Sequence, residues 1–170
     1  SRRADPDLAA YTAYLAARHH FFKGTLRGLE QSRLTLEQAI ALDGSFAAAY
    51  DALAETFWYM GFYGAMVPKE AFSHAVWCTL RTLELDDTIA EAHAQLAMLR
   101  KELDYNWPEV RRELARAMAL DARSPVVRLR REDVLRLPTD AVDRRHPLRR
   151  LAHHLAGGAL GDLRTARHRL

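Results

Sequence analysis

Three helical stretches of this chain close on nearly the same phrase: Ala41-Leu42-Asp43, Glu84-Leu85-Asp86 and Ala119-Leu120-Asp121. The aspartates stand 43 and then 35 residues apart. After the first two, an apolar helical segment restarts within a few residues, as Phe46-Ala47-Ala48-Ala49-Tyr50 and as Ile89-Ala90-Glu91-Ala92-His93. A period in the mid-thirties is the mark of a helix-pair repeat. One pair cannot hide its own apolar face, so the pairs must stack, and stacked pairs form a curved surface with a hollow side.

The local chemistry agrees with that constraint. Ala, Leu, Arg and Glu, all strong helix formers, dominate the helical stretches, and no segment alternates apolar and polar residues over a strand's length. The class is all-α. With 49% hydrophobic and 28% charged residues, the chain can build a packed core. The pattern predicts helices over about 7–23, 25–42, 46–60, 69–85 and 88–104, with a sixth ending near Leu120. Asp5-Pro6-Asp7 and Trp107-Pro108-Glu109 read as helix starts. In Asp43-Gly44-Ser45 the glycine suits a left-handed closing residue and the serine an N-cap. Gly61 to Pro68, with two Gly and one Pro, reads as an aromatic loop that stretches the first spacing. Beyond Asp121 the repeat fades. A seventh helix is expected near 125–137, then an irregular link between Pro138 and Pro147, an eighth helix near 148–156 and a short ninth over 161–170. Residues 1–121 form the expected repeat domain, and 122–170 an Arg-rich helical extension or cap.

Charge is unevenly spread. Residues 122–170 carry 12 Arg, no Lys and 5 acidic residues, a net +7, whereas the rest of the chain is −4. Any attraction to nucleic acid therefore belongs to the tail. Arg128-Leu129-Arg130-Arg131 and Arg144-Arg145 to Arg149-Arg150 supply the cations for phosphate contacts. No aromatics interleave with them. A solvated capping helix, a surface for acidic groups of a second copy, or a tail read from a shifted GC-rich frame account for the same composition.

Catalytic and cofactor chemistry find no purchase. His74 and Cys78 lie four apart on one helix, but no third group orients them, and no CxxC or HExxH spacing exists. His19-His20 and His153-His154 are adjacent pairs, whose side chains point about 100° apart on a helix. There is no GxGxxG, GxxxxGK[ST] or GxSxG phrase. The expectation is a protein that is not an enzyme, with no cofactor and no metal. No apolar run is long enough to span a membrane, the lone Cys78 is compatible with a reducing compartment, and the location expected is cytoplasmic. A first residue Ser1 rather than Met leads to the expectation of a fragment of a longer protein.

Tyr50, Leu53, Ala54, Phe57 and Ala75, followed by His93, Leu96, Ala97, Leu114 and Ala117, resemble the large-Leu-small-aromatic pattern of tetratricopeptide repeats (TPRs). Asp87 and Ala122 stand where that pattern has Pro, and Arg100 where it has an aromatic. The phrases Gly61-Phe62-Tyr63-Gly64, Pro68-Lys69-Glu70-Ala71-Phe72 and Ala90-Glu91-Ala92-His93-Ala94 are similar to a bacterial subgroup of these modules. In that subgroup the repeats follow winged-helix, adenylate cyclase or kinase domains. The resemblance covers roughly residues 8–121. It implies a right-handed superhelix of about three repeats, serving as the protein-binding, regulatory or scaffolding part of a longer bacterial protein.

In such an architecture the first helix of each pair lines the groove. The expected groove residues are Tyr11, Tyr14 and Arg18 in the first repeat, with Leu15 beside them. The second repeat supplies Asp51, Glu55, Trp58 and Tyr59, with Ala48 and Ala52 between, and the third Glu91, Gln95, Met98 and Lys101, with Ala94 and Glu102. Aromatics and Met anchor an apolar peptide, and Asp51, Glu55 and Glu91 favour a partner carrying Lys or Arg. For Trp58 and Tyr59 the competing reading is packing between helices, and for Glu91 and Glu102 it is plain solvation. A nucleic-acid-associated protein acting through the tail is the alternative function. Self-association through an incompletely capped solenoid end is a third.

Overall fold

In a computed structural model, residues 5–136 are described; they form seven helices and no strand. These are α1 Leu8–Phe22, α2 Leu26–Leu42, α3 Ala47–Tyr63, α4 Pro68–Leu85, α5 Ala90–Asp104, α6 Trp107–Asp121 and α7 Pro125–Leu135. The helices pair as α1 with α2, α3 with α4, and α5 with α6. α2 leans on α3, α4 on α5, and α7 packs across α5. The eighth and ninth expected helices, with Arg144, Arg145, Arg149, Arg150, His153 and His154, lie outside the described residues.

The recurring Leu-Asp phrase is turn chemistry. Asp43 Oδ1 accepts from the Ser45 N–H at 2.9 Å and the Ser45 hydroxyl at 2.6 Å. Asp86 Oδ1 does the same for Thr88, at 3.0 and 2.6 Å. Asp121 Oδ1 accepts from the N–H groups of Arg123 and Ser124. A carboxylate that bonds the backbone two residues on stops the helix and turns the chain. Asp43 also accepts from the Asp7 N–H at 3.2 Å, which ties the first turn between pairs to the start of α1.

Two local expectations are corrected. Ser45 does not cap α3, because its hydroxyl is held by Asp43, and the N-cap position is Phe46 with no side-chain cap. Gly44 is not left-handed; among the described residues the left-handed glycines are Gly24 and Gly64. The expected loop from Gly61 is mostly helix, since α3 runs on to Tyr63 and closes at Gly64 (φ 75°). Phe62 stacks on Trp58 and Tyr63 on Tyr59, each one turn back, and these contacts carry the helix past its glycine. Gly61 is a close-packing residue: a Cβ there would sit 2.8 Å from Ala71 Cβ and 2.9 Å from Phe72 Cε1 of α4.

A main core runs through the stack, from Ala17 and Phe21 through Leu36, Leu53 and Phe57 to Leu99, Val110 and Val134, with a smaller cluster of Ala90, Ala94, Ala117 and Val127 beside it. Small residues at the crossings, among them Ala39, Ala49, Ala54, Ala75 and Ala97, let the helices approach closely. His93 is buried on α5, with Nδ1 2.7 Å from Glu113 Oε2 on α6 and Nε2 2.9 Å from the Asp87 carbonyl. This bridge fastens α5 to α6 and to the preceding turn.

Candidate peptide-binding groove

Charged side chains of the first helix of each pair and of α7 gather around Asp51. On α3, Asp51, Glu55 and Tyr59 recur every four residues and so share a face. Arg18 of α1 donates to Glu55 Oε2 at 2.7 Å, and its guanidinium also lies over the rings of Phe21 and Phe22, 4.9 and 4.8 Å from their centroids. Burial opposes the Arg18 charge, but the charge and hydrogen bond of Glu55 outweigh it and hold the proton more firmly. Tyr14 and Tyr11 stack on one another and lean on Phe46, forming an aromatic rim at the α1 end.

Asp51 sits among charges from four helices. Burial first, then the Glu55 carboxylate, pushes its carboxyl up to about 6, with Glu91 adding and Arg130 of α7 and Arg18 opposing. Its Oδ1 is buried and has no hydrogen-bond partner. The same holds for the Tyr59 hydroxyl, Gln95 Nε2, and Arg130 Nε and Nη1. Tyr59 and Gln95 are each only 2% exposed. Burial raises the Tyr59 hydroxyl well above its ordinary value, with Glu55 adding and Arg130 opposing, so it remains a neutral donor. An unmatched buried polar group costs about 1–3 kcal/mol, so four such side chains on α3, α5 and α7 are an expensive arrangement.

Of the residues expected to line the groove, Arg18, Asp51, Glu55 and Tyr59 come together. Gln95 lies one turn beyond Glu91 on α5. Trp58 is instead stacked between Phe62 and Phe72, inside the α3–α4 contact. Met98 is buried in the same core, and Ala52 and Ala94 are buried too. Glu91 and Lys101 are engaged by α7. The Ser124 hydroxyl donates to Glu91 Oε1 at 2.7 Å, and Lys101 Nζ donates to the carbonyls of Asp133 and Arg136 at 3.0 and 3.3 Å. Lys101 thus neutralises the negative end of α7, and Glu91 holds its N-cap serine. Leu15 lies exposed on the outer side of α1.

Arg130 joins the charges around Asp51, although the sequence groups it with the cations expected to meet phosphates. It is buried, not displayed with Arg128 and Arg131. The signal was present: Val127, Arg130 and Val134 fall on one helical face, and both valines are fully buried. The His74–Cys78 pair does not form. Cys78 is buried, its thiol pushed up to about 12 by burial, while His74 is exposed and stacks on Phe57. Among the described residues no group of three or more His, Cys, Asp or Glu side chains could hold a metal ion, and no helix is long and apolar enough to cross a membrane.

The architecture is that of a tetratricopeptide-repeat domain. The structure is similar to the TPR domain of OM64 from Arabidopsis, with a TM-score of 0.60 and 16% identity, covering 74% of this chain and 93% of that one. It is also similar to the first TPR of Spaghetti (RPAP3), solved bound to the HSP90 peptide SRMEEVD, with a TM-score of 0.62 and 11% identity, covering 79% of this chain and 95% of that one. Likeness at such identity is likeness of fold. No family model matches the sequence, and no curated protein matches it.

Proposed function

We propose that this chain is an interaction module whose hollow face holds an extended segment of a partner protein, with a Lys or Arg of that segment drawn to Asp51. The observation that carries this reading is the mixed set of unmatched buried polar atoms: donors on Tyr59, Gln95 and Arg130, and an acceptor on Asp51. A peptide main chain offers one donor and one acceptor per residue and can complete both kinds once the side chains that cover these atoms part to admit it. Asp51, Glu55 and Glu91 outnumber Arg18 and Arg130, which favours a cationic side chain over an anionic one. The aromatic rim of Tyr11, Tyr14 and Phe46 offers apolar purchase beside it. The TPR fold, shared with a domain solved around a peptide, supports the same reading. On the sequence resemblance, residues 1–121 are the recognition body, 122–170 its Arg-rich extension, and the whole a regulatory or scaffolding part of a longer bacterial protein.

The test is an array of extended peptides with Lys or Arg at varied positions, followed by fluorescence-polarisation titration of the best binder. Asp51→Asn and Tyr59→Phe, which keep side-chain shape, should each weaken binding about tenfold or more, as losing one buried polar contact does. Glu37→Gln on exposed α2 should leave it unchanged. Equal affinity for all four proteins would refute the reading.

A further inference from the structure

α1 has an outer face that does not suit solvent. Its sequence, Leu8 to Phe22, contains one fully charged side chain, Arg18, and that one is engaged by Glu55. A helix that is apolar on all sides is a buried helix. The core covers one side of α1 through Ala10, Ala17 and Phe21. The other side displays Leu8 (78% exposed), Leu15 (50%) and Phe22 (41%), seven residues apart in register, with His19 between them and Tyr11 at the edge this side shares with the aromatic rim. Seven-residue spacing keeps a seam on one face of a helix, the arrangement that pairs with another helix. Exposed Ala9, Thr12 and Ala16 beside the seam are small enough for close approach.

We propose that this seam pairs with the same seam of a second copy, α1 against α1, antiparallel about a twofold axis at Leu15. The sequence is self-complementary in that register. Leu15 meets Leu15 of the other copy, Leu8 meets Phe22, Tyr11 meets His19, and Asp7 before the helix meets Lys23 after it. Reversed about Leu15, acidic Asp5 and Asp7 approach the basic end of the other α1, and the two helix dipoles run opposed. No other register aligns the three large residues and the end charges together. The contact is one helix wide and about 22 Å long, which points to a modest interface and a dimer that forms at micromolar concentrations.

Sedimentation velocity of the whole chain from about 1 to 100 μM tests this. The expected result is a shift from monomer to dimer across that range. Leu15→Glu and Leu15→Lys each place like charges on the axis, so each should stay monomeric at every concentration. An equimolar mixture of the two should recover the dimer, because residue 15 then faces its opposite charge. Far-UV circular dichroism melts confirm that both variants fold, as expected for a half-exposed position. A wild-type monomer at 100 μM, as when another segment or a foreign protein covers α1, overturns the proposal. A dimer unaffected by either variant, or a mixture that does not restore it, overturns it equally.

Discussion

Replacing Asp51 by Asn should make the protein more stable, and the gain should depend on pH. In the unfolded chain the Asp51 carboxyl titrates near 3.8, while in the fold burial and then Glu55 push it up to about 6. Between those values the folded protein keeps a proton that the unfolded chain has lost. Stability therefore falls as pH rises through that window and levels off above it. Two units at about 1.4 kcal/mol each make the cost of the charged form about 3 kcal/mol at pH 7. Asn keeps the shape and carries no charge, so Asp51→Asn should be up to about 3 kcal/mol more stable than the parent at pH 7 and nearly equal to it at pH 4. Asp133 is raised to about 6 as well, by burial first, against the opposing charges of Arg136, Arg130 and Lys101, and adds a slope of its own. The difference between the two proteins, not either curve alone, isolates Asp51. Urea unfolding at half-unit steps from pH 4 to 8 measures it. A difference that stays flat across that range, or a less stable Asn variant at pH 7, would refute the assignment of Asp51 as a buried, uncompensated carboxylate.

Three further outcomes follow from local geometry. Tyr105 closes α5 in the left-handed region at φ 51° while 63% exposed, so Tyr105→Gly should raise stability by up to about 1 kcal/mol in thermal melts. Gly61→Ala, although alanine is the better helix former, should lower stability by about 1–3 kcal/mol in urea unfolding, because its methyl would press on Ala71 and Phe72. Lys101→Met should loosen α7 without unfolding the stack, by removing two bonds to its last carbonyls. Hydrogen exchange should accelerate over residues 125–135 while α3 remains protected; uniform acceleration would show that α7 is no separate unit.

The fold was legible because two signals reinforced each other. The Leu-Asp phrase marks where a carboxylate turns the chain, and the apolar spacing between marks shows which helices must share a core. The extent of α3 was not legible from glycine count. Gly61 serves close contact with α4, and only Gly64 ends the helix, a distinction that lies in the partner helix and not in the local sequence. Position on the first helix of each pair placed Asp51, Glu55 and Tyr59 along one side of α3, where Arg18 of α1 bonds Glu55 and Tyr59 is buried in the core. It could not show that Trp58 turns into the α3–α4 contact, nor that Glu91 and Lys101 are engaged by α7. The Trp58 assignment depends on Phe72 of α4, and those of Glu91 and Lys101 on where α7 docks, beyond the point at which the repeat pattern fades.

The docking of α7 also determines which charges the proposed groove presents. Without α7, the α5 wall would offer Glu91 and Lys101 as free charges of opposite sign, a surface with little preference for either. With α7 in place, Ser124 occupies an oxygen of Glu91, and the helix carbonyls occupy Lys101. The remaining charge in the hollow is Arg130, set near Asp51 and Glu55 and already opposed on the α1 side by Arg18. The free acceptor of highest consequence is then Asp51 Oδ1, and the free donors lie on either side of it along α3, α5 and α7. An incoming cation would compensate the Asp51 carboxylate and return the stability that its burial costs at neutral pH. On the proposed function, binding affinity and folding stability would be coupled through this single side chain. A ligand that exploits it must bind more tightly as pH rises from 5 to 7, the opposite of the trend in the stability of the free protein.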